Sequence, residues 1–362
     1  MVSVESGRES ASHRSSILDV AALAGVSPAT VSRSLSGQSK VAPHTRQRVQ
    51  EAARELSYVV SPQASGLASG RTRAVGVVVP FITRWFFSTV VAGVTDVLRE
   101  TGYDVMLYHL GSADNRDRFF ERMPLARRVD GVLTLSMPLT DQHTLALRAL
   151  DLPLVSVGWR VPGSPSVRID EVAAAQTAVN HLVHQGHQHI GFIAGSPDDP
   201  AFGFVSSPDR RRGYELALQA GGLTDDPDLA VTGHFGVEGG AAAMARLLSG
   251  PVLPTAVFAE YDELAIGALW ALRRAGLQVP RQMSVVGIDD HEMAQVHDLT
   301  TVAQNAKEQG AVASQLLLRT LQAPSADHSD HDIILPSSLV LRGSTAPPRS
   351  RRAPETRRRR GR

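Results

Sequence analysis

ILDVAALAGVSPATVSRSL, at residues 17–35, carries the signals for two helices and a tight turn between them. Its first eight residues place apolar side chains at helical spacing, and Gly25 then favours the left-handed conformation that ends helices. Ser27 offers a hydroxyl as N-cap, and Pro28 stands at the first helical position, where its missing N–H costs nothing. The stretch therefore predicts a second helix from Pro28 to Leu35.

A third helix is predicted from about Pro43 to Leu56, and it completes a unit over residues 17–60 that follows a disordered N-terminus, residues 1–16. Two helices joined by a glycine turn within about twenty residues form a helix-turn-helix, whose second helix enters the major groove of DNA. The side chains expected in the core of this unit are Leu23, Val26, Val31 and Leu56.

From Val75 onward the pattern changes to short β-branched runs that alternate with amphipathic helices. The predicted strands lie in VGVVVP, YDVMLYH, VDGVLTL, LPLVSV, HIGFIAG, TAVFA and SVVGID. This alternation predicts parallel, doubly wound sheets covered by helices on both faces, with enough strands for two sheets. Residues 61–73, rich in Gly and Ser, are predicted as a linker or a marginal helix between the two regions.

The composition excludes several classes of protein. The chain has 362 residues, 43% of them hydrophobic, with a mean hydropathy of −0.08 and no cysteine. No apolar run approaches the ~18 residues of a membrane span, and the N-terminal residues have no apolar signal-peptide core. We therefore expect a cytoplasmic protein with no membrane partner, disulfide, thiol nucleophile or thiolate metal site.

The net charge of +1 conceals basic ends and an acidic middle. Residues 17–73 carry seven basic and three acidic residues, whereas residues 74–348 carry 20 basic and 30 acidic residues. Residues 349–362 hold eight arginines and a single acid, Glu355. This distribution indicates a polyanion as the partner of the ends. The arginine-rich tail is interpreted as a disordered solubilising end, with non-specific attraction to phosphates as the alternative.

The chain also resembles the LacI/GalR family of repressors. The resemblance runs through ILDVAALAGVSPATVSRSLSGQSKVAPHTRQRVQEAARELSY, RTRAVGVVVP, HLVHQGHQHIGFIAG, RRRGYELAL, AIGALWALRRAGLQVPRQMSVVGIDD, LTTVAQNAKEQG and LPSSLVLRGSTAPP. It covers about residues 17–348 and implies a DNA-binding head, a hinge and a sensor of two periplasmic-binding-protein-like subdomains. The subdomains are expected at about 74–175 plus 303–330 and at about 176–302 plus 331–348.

The resemblance places DNA-contacting positions on the predicted second helix. The base-facing residues are Pro28, Ala29 and Arg33, and the hydroxyl residues expected at phosphates are Ser27, Thr30 and Ser32. Because proline and alanine side chains cannot hydrogen-bond a base, Arg33 is the candidate for direct readout, bidentate to guanine. A phosphate clamp is its alternative role.

In the family, the hinge folds into a helix on specific DNA and inserts a leucine into the minor groove. Leu67 lies at that position, with Gln63 and Ala64 as further expected DNA contacts. Such a wedge unstacks a base step and bends the duplex. Since two hinges pair over one operator, the resemblance implies a homodimer on a palindromic site. The tail lacks the leucine-heptad helix that forms tetramers in the family, which favours a dimer.

The resemblance further implies a small-molecule effector, a sugar or sugar derivative, bound between the two subdomains at the carboxyl ends of the strands. No other cofactor is implied. Arg210 is the expected donor to ligand hydroxyls or carboxylates, and Asp289 the expected acceptor from sugar hydroxyls. The further candidates are Arg84, Phe86, Asp170, Tyr261, Asp262 and Gln304.

Two departures from the family pattern concern this cleft. A loop that often reads Asp-Ile-Ser-Asn-Pro-Phe-Phe is FITRWFF here, from Phe81 to Phe87, and Tyr261 replaces the usual asparagine before Asp262. The arginines and aromatic residues expected there lead to the hypothesis that the cleft suits an aromatic or anionic ligand better than a simple neutral sugar.

Other signals carry less weight. Four histidines lie close together in the sequence and suggest a metal site: His181, His184, His187 and His189. They belong to the family's helix–strand turn, however, and have no acidic or cysteine partner nearby. No phosphate loop or GxSxG motif occurs, so no enzyme is expected. The predicted function is a nucleoid-associated repressor of carbohydrate-related genes. The alternatives are an activator or dual regulator, and a sugar-binding receptor that shares the sensor fold.

Overall fold

The computed structural model describes residues 15–35, 41–58, 71–137, 139–196, 206–323 and 331–349. The chain divides into a head unit within residues 1–73 and a sensor unit within residues 74–362. The predicted DNA contacts of the hinge lie outside the described residues: Gln63, Ala64 and Leu67. So do residues 1–14 and 350–362, which make up nearly all of the two predicted disordered ends.

The head unit contains helices α1 (Ile17–Ala24), α2 (Pro28–Leu35) and α3 (Pro43–Glu55). Helix α1 begins with a capping box, because the Ser16 and Asp19 side chains each accept a hydrogen bond from the backbone N–H of the other. It ends at Gly25, whose φ of 61° is left-handed. The predicted helix bounds are therefore confirmed, to within one residue for α3.

Side chains from all three helices form the core of the head: Val20, Ala21, Ala24, Val31, Val49, Ala52 and Ala53. Val26 and Leu56 pack against this core, as expected. The prediction for Leu23 is wrong, since this residue is 47% exposed. At 100° per residue, Leu23 falls outside the arc of α1 that its buried residues define.

The first subdomain of the sensor unit is built on a six-stranded sheet in the order β11-β5-β4-β3-β1-β2, and every pairing described in it is parallel. Its strands are β1 (Ala74–Val79), β2 (Asp104–His109), β3 (Gly131–Leu135), β4 (Leu154–Val157), β5 (Ser166–Arg168) and β11 (Asp332–Ile334). Its helices are α4 (Trp85–Glu100), α5 (Ala113–Arg122), α6 (Asp141–Arg148) and α12 (Ala306–Gln322).

The second subdomain has a six-stranded sheet in the order β12-β10-β9-β8-β6-β7, in which only the described β10–β12 pairing is antiparallel. Its strands are β6 (Ile190–Ser196), β7 (Ala230–His234), β8 (Ala256–Ala259), β9 (Ser284–Asp289), β10 (Thr300–Ala303) and β12 (Ser338–Val340). Its helices are α7 (Glu171–His184), α8 (Ser206–Ala220), α9 (Val237–Leu248), α10 (Asp262–Arg274) and α11 (Glu292–Val296). The prediction of two doubly wound sheets is confirmed.

The predicted subdomain boundaries need correction at two places. Helix α7 packs on the second sheet, so the first crossover precedes Glu171 rather than residue 176. Strand β11 pairs with β5 in the first sheet, although residues 331–348 were expected in the second subdomain. Arg168 of β5 forms a 2.7 Å ion pair with Asp332 of β11. This contact is long-range, so no local sequence pattern predicts it.

Two glycines bring α12 against α4. A Cβ at Gly93 would stand 2.0 Å from the Lys307 carbonyl oxygen, and one at Gly310 would stand 2.1 Å from the Val90 carbonyl oxygen. Only glycine permits this close approach. The contact fixes α12 to the first subdomain although it follows β10 of the second, so residues 304–305 cross between the subdomains.

Candidate functional site

The first turn of α2 presents the residues expected to contact DNA. Ser27, Pro28 and Ala29 are exposed, whereas Val31 faces the core. The Ser27 hydroxyl accepts the Thr30 N–H at 3.2 Å and lies 2.9 Å from the Thr30 hydroxyl. Ser27 is therefore the N-cap that the sequence predicts, and the side chains at the start of α2 are small and exposed.

Arg33 is the long cation of this helix, and it is exposed. Its Nε donates to the Ala29 carbonyl at 3.1 Å, which directs the side chain back along the helix toward the first turn. Ser32, beside it, is half-buried. The side chain thus lies on the end of α2 from which recognition helices read bases.

A narrow cleft, with about 50 Å³ open to the centres of water-sized molecules, lies between the two subdomains of the sensor unit. Its wall is formed by residues that follow β1, β3, β7, β8, β9 and β10, together with the first turns of α7 and α8. Ligands of doubly wound sheets bind at this edge, outside the carboxyl ends of the strands. The lining side chains are Arg84, Trp85, Phe86, Phe87, Ser136, Glu171, Ser206, Arg210, Phe235, Tyr261, Glu263, Asp289 and Gln304.

Arg210, on α8, is a buried cation in the cleft wall, with 4% of its surface exposed. Its Nε donates to the Glu171 carboxylate at 2.7 Å, and its Nη1 donates to the Glu260 carbonyl at 2.6 Å. Burial opposes its charge, but the carboxylates of Glu171 and Asp289 outweigh burial and raise the pKa of Arg210. The guanidinium is therefore held charged and in one orientation.

Asp289 ends β9 with a φ of 143°, a backbone conformation that residues other than glycine rarely adopt. Its carboxyl accepts a hydrogen bond from Gln304 Nε2, and the Gln304 carbonyl in turn accepts from Gln309 Nε2 at 2.7 Å. Burial raises the pKa of Asp289 well above its usual range. The surrounding structure thus holds this carboxyl at the cleft despite backbone strain.

A second cation, Arg84, lies at the start of α4. Its Nη1 is 3.8 Å from the Glu263 carboxylate, and its guanidinium lies 5.0 Å from the centre of the Phe235 ring. The Tyr261 ring packs 5.8 Å from that of Phe235, and its buried hydroxyl has no hydrogen-bond partner among the described residues.

Trp85 connects the two subdomains at the mouth of the cleft. Its Nε1 donates to the Glu292 carboxylate, and its ring centre lies 5.3 Å from that of His291. Phe81 and Phe235 make a further ring contact at 6.0 Å. Trp85 and Phe235, which line the cleft, therefore each contact the opposite subdomain.

Comparison with known proteins gives the same division of the chain into a head unit and a sensor unit. Residues 16–61 match the family model described as bacterial regulatory proteins, lacI family, and residues 179–345 match the periplasmic binding protein-like domain. The HTH-type transcriptional repressor CytR of Escherichia coli strain K12 is 36% identical over 331 residues, which cover 90% of this chain and 95% of CytR. The chain belongs to the LacI family.

Solved structures share the same architecture. The Lac repressor dimer bound to operator and the anti-inducer ONPF matches with a TM-score of 0.80 at 28% identity, covering 92% of this chain and 99% of that one. A complex of the transcriptional regulator CelR with cellobiose matches with a TM-score of 0.67 at 32% identity, covering 91% and 100%. The LacI-family protein is therefore a DNA-binding transcriptional regulator.

Six of the eight predicted effector residues line the cleft: Arg84, Phe86, Arg210, Tyr261, Asp289 and Gln304. Asp170 does not, because it is exposed and caps α7 by accepting the Ala173 N–H at 2.9 Å. Asp262 lies beneath the cleft and is fully buried, accepting from the Thr301 hydroxyl at 2.7 Å and the His291 N–H at 2.9 Å. Burial raises the pKa of Asp262 to about 7. Both predictions are corrected to structural roles.

Three acids and an aromatic residue of the site were not predicted from the sequence: Glu171, Glu260, Glu263 and Phe235. Glu260 directly follows β8 and is 1% exposed, with its carboxylate accepting the Gly195 N–H at 2.7 Å. Since acids are seldom buried without partners, an acid directly after an apolar strand is the signal that could have identified it.

Two of the four histidines, His181 and His187, have structural contacts. His187 lies 2.9 Å from the Thr255 hydroxyl and 3.0 Å from the Ala346 carbonyl, and His181 lies 2.8 Å from the Thr345 hydroxyl. These contacts fasten residues 342–346 to the second subdomain. Within the described ranges there is no cluster of three potential metal-ligating side chains, and no helix is long and apolar enough to cross a bilayer.

Proposed function

We propose that this LacI-family protein is a transcriptional repressor whose homodimer binds a palindromic operator, and that a small molecule in the cleft controls its affinity for DNA. The observation that carries the proposal is the presence in one chain of an exposed α2 first turn and a preformed cleft between two doubly wound subdomains. The relatives named as repressors favour repression over activation.

The proposed effector is a sugar or sugar derivative, and the regulated genes are carbohydrate-related. Trp85, Phe86 and Phe235 can pack against the apolar face of a sugar ring, while Asp289 and Gln304 can bond its hydroxyls. A matched structure that holds cellobiose supports this choice. The proposed role is regulatory rather than enzymatic, with no cofactor, and is exercised on chromosomal DNA in the cytoplasm.

The proposed homodimer would bury an apolar strip on the second subdomain. Val237, Trp270 and Met293 line one surface groove there and are each about two-fifths exposed, and Val296 on α11 is 71% exposed. Exposed apolar groups in a contiguous patch are typical of protein interfaces. Glu263 lines both this groove and the effector cleft, so a ligand in the cleft has a direct route to the interface.

Val296→Glu should weaken the dimer, because the new charge would be buried without a partner in the interface. Sedimentation velocity over a range of protein concentrations measures the dissociation constant, which we expect to rise at least about tenfold. Leu145→Glu, at a 64% exposed position on α6 of the first subdomain, is the matched control. If Val296→Glu and Leu145→Glu raised the dissociation constant equally, the proposed interface would be wrong.

The proposed function is tested by selecting bound duplexes from a random DNA pool with the full-length protein, repeated with cellobiose, ribose and other sugars present. A palindromic motif whose recovery changes with one of the sugars is expected. Recovery of no palindrome under any condition would exclude the proposal.

Arg33→Ala should relax the base preference at one position in each half-site, because one bidentate contact to guanine contributes about 1–3 kcal/mol of discrimination. The same selection measures this, with Arg54→Ala, at an exposed position on α3, as control. Arg54→Ala is expected to leave the motif intact. If the Arg33→Ala motif equals the wild-type motif, Arg33 contacts phosphate rather than a base.

A further inference from the structure

Both arginines of the effector cleft are already paired with carboxylates that also line it. Arg210 is bonded to Glu171 at 2.7 Å, with 5% and 13% of the two side chains exposed. Arg84 lies 3.8 Å from Glu263. The cleft therefore contains cations, but each has a carboxylate beside it.

Among the described lining residues, an anionic ligand would find no cation without a carboxylate already beside it. Arg210 is held beside Glu171 and Arg84 beside Glu263, so neither guanidinium is free of a carboxylate. Transferring a phosphate or carboxylate from water into such a wall costs free energy, and neither arginine can offset it without leaving its carboxylate partner. The anionic alternative that the sequence suggested is therefore disfavoured.

For a neutral ligand, the same cleft provides hydrogen-bonding groups and aromatic side chains. A guanidinium has five N–H donors, and the two described bonds of Arg210 use its Nε and one Nη1 donor. The remaining Arg210 donors can bond hydroxyl or carbonyl oxygens, and the Asp289 carboxyl can accept from a hydroxyl. Aromatic side chains form the remainder of the wall.

We propose that Glu171 and Glu263 act as specificity determinants that restrict this cleft to uncharged ligands, and that Glu171 keeps Arg210 from binding a phosphate or carboxylate. This inference rests on the proposal that the cleft is the effector site. It predicts that the effector is an uncharged molecule with hydroxyl groups and a flat apolar face, and that its phosphorylated or acidic counterparts are rejected.

The test uses inorganic phosphate and the full-length protein without DNA. Phosphate is titrated at constant ionic strength into wild type and Glu171→Gln, and binding is followed by calorimetry. Glu171→Gln should bind phosphate at least about tenfold more tightly than wild type, as expected for newly available charge-assisted hydrogen bonds. Glu215→Gln, which removes the exposed partner of Arg211 on the same helix, is the control and should behave as wild type.

Adding Arg210→Gln to Glu171→Gln should abolish the gain, which would locate the phosphate at Arg210. Equal phosphate affinity in wild type and Glu171→Gln would overturn the inference, as would a gain that survives Arg210→Gln. A second measurement needs no substitution: wild type is titrated with D-ribose, D-glucose and their phosphate esters, and tighter binding of either ester than of its parent sugar would also overturn the inference. Because no DNA is present, failure of the regulator proposal would leave these outcomes unaffected.

Discussion

Arg210→Ala should lower the free energy of unfolding of the sensor unit by about 3–5 kcal/mol, the cost of leaving a buried ion pair with one partner. The change would leave the Glu171 carboxylate and the Glu260 carbonyl without their donor in the cleft wall. It would also remove the cation beside Asp289, whose carboxyl is buried. We therefore expect loss of both stability and ligand response.

Urea unfolding followed by tryptophan fluorescence measures this effect, since Trp85, Trp159 and Trp270 all lie in the sensor unit. Arg211→Ala is the matched control on the adjacent residue of the same helix. Its side chain is 29% exposed, pairs with Glu215 at 2.6 Å and with Asp225, and lies over the Phe192 and Tyr214 rings. Because these contacts are partly exposed, a smaller loss of about 1–2 kcal/mol is expected. Similar losses for the two variants would show that the buried pair does not stabilise the cleft wall.

Val31→Asp should unfold the head unit and abolish specific DNA binding. Val31 is completely buried between the three helices, and this core consists of few and small side chains. A unit of this size has only a few kcal/mol of stability, whereas an unpaired buried carboxylate costs several. Operator affinity is therefore expected to fall about a hundredfold or more.

Leu23→Asp introduces the same charge into the same unit at a residue that is 47% exposed. It should reduce DNA affinity only slightly, which separates unfolding from repulsion between the carboxylate and phosphates. Gel-shift titration against the selected operator measures both variants, and the fluorescence transition of the sensor unit should be unchanged in each. If Leu23→Asp were as damaging as Val31→Asp, the core of the head would be assigned incorrectly.

Prediction from sequence succeeded where the signals are local. The capping hydroxyl of Ser27, the left-handed Gly25 and the periodicity of α1 each depend on residues within one or two helical turns. The long apolar strands were recognisable for the same reason. Five of the described strands were missed. Strands β5, β11 and β12 have three residues and β10 has four, too few to display an alternating pattern, and β7 is an edge strand with little buried apolar surface.

The cleft was predicted only in part. Position after a strand correctly indicated Asp289, and the family resemblance correctly indicated Arg210 and Gln304 as lining residues. Neither signal distinguishes a residue facing the cleft from one facing the neighbouring strand, which is why Asp262 was placed in the cleft although it bonds Thr301 of β10. Their function as effector contacts stays a prediction.

Helix bounds, caps, two doubly wound sheets and membership of the LacI family can be read from the residues alone, because each follows from contacts between near neighbours or from motif order. The pairing of charges in the cleft cannot. Arg210 meets Glu171 across 39 residues and the Glu260 carbonyl across 50, so only the packed chain brings them together. From the sequence alone, Arg210 could bind an anion. In the folded protein, long-range packing places the Glu171 carboxylate beside it, which compensates its charge.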